Sequence, residues 1–446
     1  MKRLVSVLLT LVLCLGLCGC TSVSFKSLMS PPKANTSQQA IFNLLKDESG
    51  NVNYFYPKSG DYRSAIIMHD FNGDGKDDAL AFCAGEDSVG IDIKFMSNSE
   101  GLWRVIESFG STASQVDRVA FGDVTGDGVD DIIVGWGAPQ SMTSSISVYS
   151  VGGETVSEFP VDSLYNEFIL TDFNRDGIME IFSASIETQS DDNSGSATEA
   201  AAKLFTYNGS QMTLSCVAPL NPNVNRYAAV TFSKMPGGLA GVILDGTLAD
   251  NSMTTQVVVC SSDLSALSVP TEQAADYNSF TRPAVLPVTC MDIGGDGYFE
   301  IPLVSLTAGY SDTTANPSTC YLVDWVRFAP DGLSVVSIMP AMMNMPDKYY
   351  VVLPQALKRN IISSYNATLR ELIFYKAELT EDSLLQSAQK LFSIRTFTRS
   401  EWQEQGESDV YTLLASGQGD LVYALHMDQN GSLSRSIIDS FKIISD

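Results

Sequence analysis

The sequence predicts a mainly β protein, a β-propeller of four-stranded blades followed by a small α+β domain. Three observations support this fold class. An acidic turn motif recurs along the chain, strand-like apolar runs flank each copy, and the first copies are spaced by roughly 50 residues, as in propeller blades. The length of 446 residues allows one large repeat domain and a companion domain.

The N-terminal segment has the layout of an export signal. Two basic residues precede an apolar stretch that ends at Leu17 and is too short to span a bilayer. The stretch runs into Leu-Cys-Gly-Cys, which resembles the bacterial lipobox, and this resemblance implies cleavage before Cys20 and a lipid on that residue. Lipidation of Cys18 and an ordinary signal peptide are the alternatives. We therefore expect a lipoprotein signal peptide over 1–19, a tether over 20–39, and a lipid-anchored protein on the outer side of a bacterial membrane, in the cell envelope.

The composition narrows the classes of partner. The chain has 27 Lys and Arg against 52 Asp and Glu, a net charge of −25. This excess of negative charge argues against nucleic acid and against an anionic membrane surface, and it favours a solvated surface or cation binding. Membrane contact is expected through the N-terminal lipid only. Five of the eight cysteines follow residue 20, none in a CxxC pair, and we expect them to be buried free thiols.

The acidic motif reads Asp-x-x-x-Asp-Gly-x-x-acid, and an apolar run follows it. The copies begin at Asp70, Asp123, Asp172 and Asp292. The last interval is about twice the others, which predicts a degenerate copy in between. Residues 228–244 have the apolar frame of the motif without its acids. Residues 40–345 are accordingly predicted to form the propeller.

The density of carboxylates in each copy predicts a cation site. Carboxylates this close repel one another unless a cation neutralises them, and oxygen ligands at alternate positions suit Ca²⁺. We expect side-chain ligands at positions 1, 3, 5 and 9 and a carbonyl ligand at position 7. In the first copy these residues are Asp70, Asn72, Asp74, Lys76 and Asp78. An EF-hand is excluded, because no copy has Glu at position 12 and the flanks are β.

The motif and its β flanks resemble the FG-GAP/VCBS repeat, the calcium-loop blade that also occurs in integrin α-chain propellers. The resemblance implies equivalent ligands in the other copies. These are Asp123, Thr125, Asp127, the Val129 carbonyl and Asp131, then Asp172, Asn174, Asp176, the Ile178 carbonyl and Glu180, then Asp292, Asp296, the Tyr298 carbonyl and Glu300. Gly294 takes position 3 of the fourth copy, so we expect weaker binding there, or binding through water. A row of solvated Asp/Gly turns is the alternative interpretation.

Residues 346–446 have a different pattern. Strand-like runs alternate with a capped helix start and with helical apolar spacing at Leu433, Ile437, Ile438 and Phe441. A closing helix does not suit a blade, which favours a small α+β domain with faint similarity to the Mog1/PsbP-like fold. The alternative is a pair of degenerate blades that complete a seven-bladed ring.

The loops between the second and third strands of the blades predict a recognition face. They are long and varied, and such loops on a rigid scaffold commonly carry binding residues. Trp136 and Tyr310 are the aromatic candidates for contacting a protein or glycan ligand, on the face opposite the calcium loops.

Catalytic motifs are not evident in the sequence. His69 and His426 are the only histidines, and no GxSxG, HExxH or P-loop occurs. The sequence therefore predicts a protein that is not an enzyme but a lipid-anchored, calcium-stabilised binding or adhesion-type propeller. The alternative is a carbohydrate-active enzyme, a glycosidase or lyase, that uses carboxylates of the central channel.

Overall fold

Antiparallel strands grouped in six sheets make up most of the protein. The computed structural model describes residues 36–85, 89–99, 101–138, 144–188, 199–273, 280–284, 286–306, 321–329, 334–358, 360–379, 385–406, 410–417, 419–427 and 432–444. Cys20, Tyr310 and Cys320 lie outside this part of the chain. Four cysteines lie within the described ranges, and all are buried free thiols: Cys83, Cys216, Cys260 and Cys290.

The first three sheets each contain an uninterrupted up-and-down run of four strands. The first sheet consists of β1 (Asn53–Tyr54), β2 (Ile66–His69), β3 (Asp78–Ala84), β4 (Ile91–Ser99) and β5 (Leu102–Ser111), with β1 and β2 both paired to β3. The second consists of β6 (Gln115–Gly122), β7 (Asp131–Gly137), β8 (Ser144–Gly152) and β9 (Thr155–Tyr165). The third consists of β10 (Glu167–Thr171), β11 (Glu180–Ser185), β12 (Ala201–Tyr207) and β13 (Met212–Pro219).

The fourth sheet contains the predicted degenerate copy. Its strands are β14 (Arg226–Lys234), β15 (Ala240–Thr247), β16 (Met253–Cys260), β17 (Leu267–Ser268) and β18 (Thr281–Arg282). Residues 228–244 form most of the β14–β15 hairpin, and a 3₁₀ turn, Pro236–Gly238, replaces the acidic loop at its tip. Every residue of β15 and β16 is buried, including the polar Asp245 and Gln256 among their mostly apolar and small residues.

The last two sheets include the C-terminal part of the chain. The fifth sheet has the order β19 (Ile301–Leu306), β20 (Tyr321–Phe328), β21 (Val335–Asn344), β22 (Tyr349–Val352) and β28 (Phe441–Ile443). The sixth contains β23 (Ile361–Asn366), β24 (Glu371–Leu379), β25 (Leu385–Thr398), β27 (Leu421–Met427) and β26 (Thr412–Ser416), in that order. The predicted boundary after residue 345 thus falls within the fifth sheet, between β21 and β22.

Helices are few and short. They are α1 (Thr36–Ser49), α2 (Pro270–Gln273), α3 (Arg399–Glu401) and α4 (Ser432–Ser440), with a 3₁₀ turn at Gln355–Leu357 and a π turn at Trp402–Gly406. Residues 36–39, expected in the tether, instead form the first turn of α1, because Ile41 and Leu45 of this helix bury their side chains against the first sheet. No helix in the described ranges is long and apolar enough to cross a membrane.

Consecutive sheets share their hydrophobic cores. The second to fifth sheets each contribute apolar side chains from both faces, so one face packs on the preceding sheet and the other on the following one. Representative partners, taken along the chain, are Phe82 with Ile132, Ile133 with Phe168, Phe182 with Val242, Val257 with Ile301, and Tyr349 with Phe374. This sheet-on-sheet succession in chain order makes the fold propeller-like and accounts for the near-continuous apolar runs in the sequence.

A buried ion pair within the fourth sheet also contacts the segment that leads into the fifth. Arg282 and Asp245 are both almost fully buried, and Arg282 Nη2 donates to Asp245 Oδ1 at 2.6 Å. Thr255 Oγ1 and the Cys290 backbone N–H donate to the same carboxylate at 2.6 and 2.7 Å. Because the charges are paired and hydrogen-bonded, the cluster is stable in a low-dielectric interior.

The C-terminal helix offers a direct test of this packing. Ile437 is fully buried in the core between the fifth and sixth sheets, whereas its neighbour Ile438 is 36% exposed. We expect Ile437→Ala to lower the free energy of unfolding by about 2–5 kcal/mol, since it leaves a cavity. The matched control Ile438→Ala should cost less than about 1 kcal/mol in the same urea titration. Equal losses for the two variants would contradict this placement of α4.

Candidate metal centre

The four acidic loops are the tips of β-hairpins with one common register. They are named loop 1 (70–78), loop 2 (123–131), loop 3 (172–180) and loop 4 (292–300). In each, the residue before position 1 pairs with the acid at position 9. The pairs are His69 with Asp78, Gly122 with Asp131, Thr171 with Glu180, and Met291 with Glu300. Eight residues therefore connect the two arms of every hairpin in the same way.

The carboxylate at position 1 organises each loop. Asp70 accepts hydrogen bonds from the backbone N–H groups of Gly73 and Gly75 at 2.9 and 2.8 Å. Asp123, Asp172 and Asp292 accept from positions 4 and 6 in the same manner, and also from position 5. These bonds hold the turn closed around one carboxylate.

The acid at position 5 bonds to position 7. Asp74, Asp127, Asp176 and Asp296 each accept from the backbone N–H of the predicted carbonyl ligand, which is Lys76, Val129, Ile178 and Tyr298 in turn. Asn72 and Asn174, at position 3, accept from the N–H of position 5. Within the described ranges, the structure brings no three His, Cys, Asp or Glu side chains into an arrangement that could hold a metal ion. The loops are therefore organised by hydrogen bonds to carboxylate and amide oxygens.

The acid at position 9 is buried in all four loops. Asp78, Asp131, Glu180 and Glu300 are each at most 2% exposed. Asp131 accepts from the backbone N–H groups of Val124 and Thr125 at 2.9 and 2.8 Å, and from the Thr125 hydroxyl at 3.2 Å. Glu180 and Glu300 accept from the N–H of position 2 in their own loops. These carboxylates therefore sit at the junction of loop and sheet.

One of these buried oxygens fits a cation site. Asp78 Oδ2 is buried and accepts no hydrogen bond from any residue that the structure describes. A buried carboxylate oxygen without a partner is costly, and a cation is one means of neutralising it. The oxygen chemistry of the loop 1 residues therefore fits a hard cation, although the described side chains are not arranged around one.

Burial also changes the proton affinity of these acids. Burial raises the pKa of Asp78 to about 6, with further contributions from Asp74 and Asp70. Burial, together with Asp176 and Asp172, raises the pKa of Glu180 to about 7. The pKa of Asp131 is also raised by burial. Ionisation of the buried acids in loops 1, 2 and 3 therefore costs free energy in the folded state, and a bound cation would reduce that cost.

Loop 4 differs because it contains a protein cation. Arg327, on β20, donates Nη1 and Nη2 to Asp296 at 3.1 Å and Nη2 to Glu300. Its guanidinium also lies over the Tyr298 ring, 4.6 Å from the centroid. Sequence reasoning missed Arg327, which lies 27 residues beyond Glu300 and enters the loop only through the register of the sheet.

Neighbouring loops interlock between the glycine at position 4 of one loop and the side chain at position 7 of the next. A Cβ on Gly73 in loop 1 would lie 2.9 Å from Val129 of loop 2, and a Cβ on Gly126 in loop 2 would lie 2.8 Å from Ile178 of loop 3. The Met179 N–H also donates to the Asp123 carbonyl at 2.7 Å. The first three loops therefore form one continuous surface, in which a side chain from each following loop covers the glycine at position 4.

A histidine contact connects loop 1 to loop 2 as well. His69 Nε2 lies 2.8 Å from Asp130 Oδ2, and the His69 ring stacks on Phe121 at a centroid distance of 3.9 Å. This contact gives His69 a packing and hydrogen-bonding role between adjacent sheets. His426, on β27, lies with its ring centroid 5.7 Å from that of Tyr411.

Of the two predicted ligand-face aromatics, Trp136 lies among the described residues. Trp136 is only 4% exposed and packs edge-on against Phe82 at 5.7 Å, within the core shared by the first two sheets. Its expected role in surface recognition is not consistent with this burial. Tyr310 lies outside the described residues, together with most of the loops that were predicted to carry recognition.

Comparisons with known proteins identify structural likeness without a family. No family model matches the sequence, and no curated protein matches it. Among solved structures, the Dos1 propeller is 10% identical over 84% of this chain and 70% of its own, with a TM-score of 0.29. The alpha-L-arabinanase of Penicillium chrysogenum, complexed with arabinobiose, is 10% identical over 84% and 97%, with a TM-score of 0.27. The exo-beta-1,3-galactanase of Phanerochaete chrysosporium, with galactose, is 12% identical over 89% and 92%, with a TM-score of 0.28.

The prediction that this chain is not an enzyme is contradicted by these comparisons. Two of these structures are, by name, an arabinanase and a galactanase. The lack of a recognised catalytic motif in the sequence does not by itself exclude catalysis.

The interlock between loops predicts unequal effects of two glycine substitutions. Gly126 and Gly128 both have positive φ, 77° and 87°, but only a Cβ on Gly126 would meet the neighbouring loop. Gly128→Ala should cost about 1–2 kcal/mol through backbone strain alone. Gly126→Ala should cost about 1 kcal/mol more, because Ile178 must move. Urea unfolding measures both, and equal costs would contradict the interlock.

The raised pKa of Asp78 predicts a pH-dependent effect of one substitution. In the presence of a chelator, the free energy of unfolding of the wild-type protein should fall as the pH rises from 3.8, the ordinary pKa of Asp, to about 6, the pKa of Asp78 in the folded state. The reason is that Asp78 is harder to ionise in the folded state. Asp78→Asn should therefore raise the free energy of unfolding at pH 7.5 by about 1–3 kcal/mol and give no gain at pH 4. Asp77→Asn, at an exposed neighbour, is the control and should show no such dependence. A pH-independent effect of Asp78→Asn would contradict the assignment.

Proposed function

We propose that this chain is a lipid-anchored extracytoplasmic binding protein whose propeller blades are stabilised by Ca²⁺ at their hairpin loops. The single observation that supports this most strongly is the buried acid at position 9, which recurs in one register and in loop 1 leaves Asp78 Oδ2 without a hydrogen-bond donor. Carboxylate, amide and carbonyl oxygens in a short loop are the ligand chemistry of calcium sites.

The residues that would hold the ions are those of the first three loops. Positions 1, 3, 5 and 9 supply side-chain oxygens, and position 7 supplies a carbonyl oxygen. Calcium would supply the positive charge that permits these carboxylates to be ionised together. The protein residues do the rest: position 1 keeps the turn closed through its backbone hydrogen bonds, and position 9 connects the loop to the second strand of the sheet.

The interlock of loops 1, 2 and 3 supports a scaffolding role for the metal. Since Val129 and Ile178 cover the glycines of the preceding loops, fixing one loop restrains the next. Each sheet already packs on its neighbours through a shared core. We infer that ion binding stiffens one side of the propeller and leaves the opposite side free to present recognition loops.

A protein or saccharide is the ligand that we propose for that opposite face. The net charge of −25 disfavours nucleic acid. The lipid on Cys20 would hold the protein at the outer side of the membrane, in the cell envelope. In this proposal the first five sheets are blades, and the C-terminal residues complete the fifth sheet and add the sixth.

Paired substitutions in loop 1 test the calcium sites. Asp74 is a proposed ligand and Asp77 is not, and both are exposed acids in the same loop. Calcium should raise the Tm of wild-type protein above its value in EDTA. Asp74→Ala should lose part of that rise, because one of the ligands is gone, whereas Asp77→Ala should keep all of it despite the same change of charge. A Tm that does not respond to calcium in the wild-type protein would refute the metal sites.

Binding of a partner requires a separate experiment. Purified protein should retain glycans or envelope proteins in a calcium-dependent manner, and analysis of the recovered glycans for cleavage distinguishes binding from turnover. If wild-type protein and Asp74→Ala retain the same amount of partner, both in EDTA and in calcium, then partner binding does not depend on the metal.

A further inference from the structure

The strands next to the four loops reveal a systematic difference. In each of the four sheets, the third strand pairs with the second strand, which begins at position 9 of the loop. The residue pairs between these two strands show which residue of the third strand lies opposite position 9. The pairs adjacent to it are Ala79 with Met96, Ile132 with Tyr149, Ile181 with Phe205, and Ile301 with Val326. Extending each register by one residue towards the loop places the following third-strand residues opposite position 9 of loops 1 to 4, in that order: Ser97, Ser150, Thr206 and Arg327.

Three of these residues carry a small hydroxyl group. Ser97 and Ser150 hydrogen-bond the side chains of Asp78 and Asp131. Such a side chain adds no charge to the loop. Loops 1 and 2 therefore keep their negative charge uncompensated by any cation from the third strand.

Arg327 takes this register position in the fifth sheet. Its guanidinium contacts the carboxylates at both positions 5 and 9, Asp296 and Glu300, and stacks on the ring of Tyr298. Arg327 is 19% exposed and Glu300 is fully buried, so the pair is largely shielded from water. Charge-assisted hydrogen bonds of this kind are strong, and a second carboxylate adds to them.

A second cation approaches the same loop. A methyl group added at Gly297 would lie 3.6 Å from Lys234 Nζ, which belongs to the fourth sheet. Loop 4 also has Gly294 at position 3, where loops 1 and 3 have Asn and loop 2 has Thr. It therefore has fewer side-chain oxygen ligands than the other loops, and an arginine contacts two of its carboxylates.

We propose that Arg327 is the permanent cation of loop 4 and that this loop takes no calcium. The inference rests on the proposed calcium binding of loops 1, 2 and 3 and adds to it a residue that determines which loops accept metal. The guanidinium neutralises Asp296 and Glu300 whether or not calcium is present. A divalent ion would have to displace Arg327 from both carboxylates and bind with one side-chain ligand fewer.

Calcium stoichiometry provides the test. The full-length chain in detergent should bind three ions, measured by equilibrium dialysis with ⁴⁵Ca. Arg327→Met removes the charge while keeping a long apolar side chain, and it should bind a fourth ion. Arg104→Gln is the matched control, because it removes an exposed arginine that pairs with Glu154, and it should stay at three.

A second pair of variants keeps the test valid if Arg327→Met does not fold. Asp127→Ala in loop 2 should lower the stoichiometry by one, whereas Asp296→Ala in loop 4 should leave it unchanged. Asp296→Ala should lower the Tm equally in EDTA and in calcium, because it removes a partner of Arg327 and no metal ligand.

The outcomes separate the two proposals. Four ions in the wild-type protein, three in Arg327→Met, or loss of an ion in Asp296→Ala would overturn the role of Arg327 while leaving calcium binding intact. No bound ion in either the wild-type protein or Arg327→Met would overturn the proposed function itself.

Discussion

A buried carboxylate at the start of the second strand is the constraint on which each acidic hairpin depends. This acid ties its own loop to the sheet by accepting N–H groups of position 2, as Asp131 and Glu180 do. Burial makes its charge expensive, so the surroundings must supply either hydrogen bonds or a positive charge. The register of the hairpin and the residues around this acid determine which of the two it receives.

Much of the fold follows directly from local sequence pattern. The acidic motif predicted hairpin tips because Asp and Gly at fixed offsets favour one turn conformation, and the apolar runs after it predicted strands buried on both faces. Residues 228–244 show that the apolar frame suffices: they form a hairpin without a single acid of the motif. The final helix was predictable from the spacing of Leu433 and Ile437, whereas Ile438 of the same pattern is exposed and Phe441 begins β28.

Contacts between distant parts of the chain were not predictable in this way. Arg327 reaches loop 4 through strand register, and Trp136 is buried because the second sheet packs on the first. The pairing of β22 with β28 joins residues about ninety positions apart, so a domain boundary drawn from composition at residue 345 fell inside a sheet. The fourth sheet depends on the Asp245–Arg282 pair, whose members are separated by 37 residues and carry no motif. Such contacts are decided by tertiary packing, which a one-dimensional pattern does not encode.

The late position of β28 in the chain has a consequence for biosynthesis. Until Phe441–Ile443 have been synthesised, the backbone N–H and C=O groups on one side of β22 have no strand to pair with. The fifth sheet therefore matures only after the entire sixth sheet has emerged, although its first four strands come earlier in the chain. Nascent and truncated chains would expose this unpaired sheet edge to other unfolded chains, so protection against aggregation depends on the last strand of the chain.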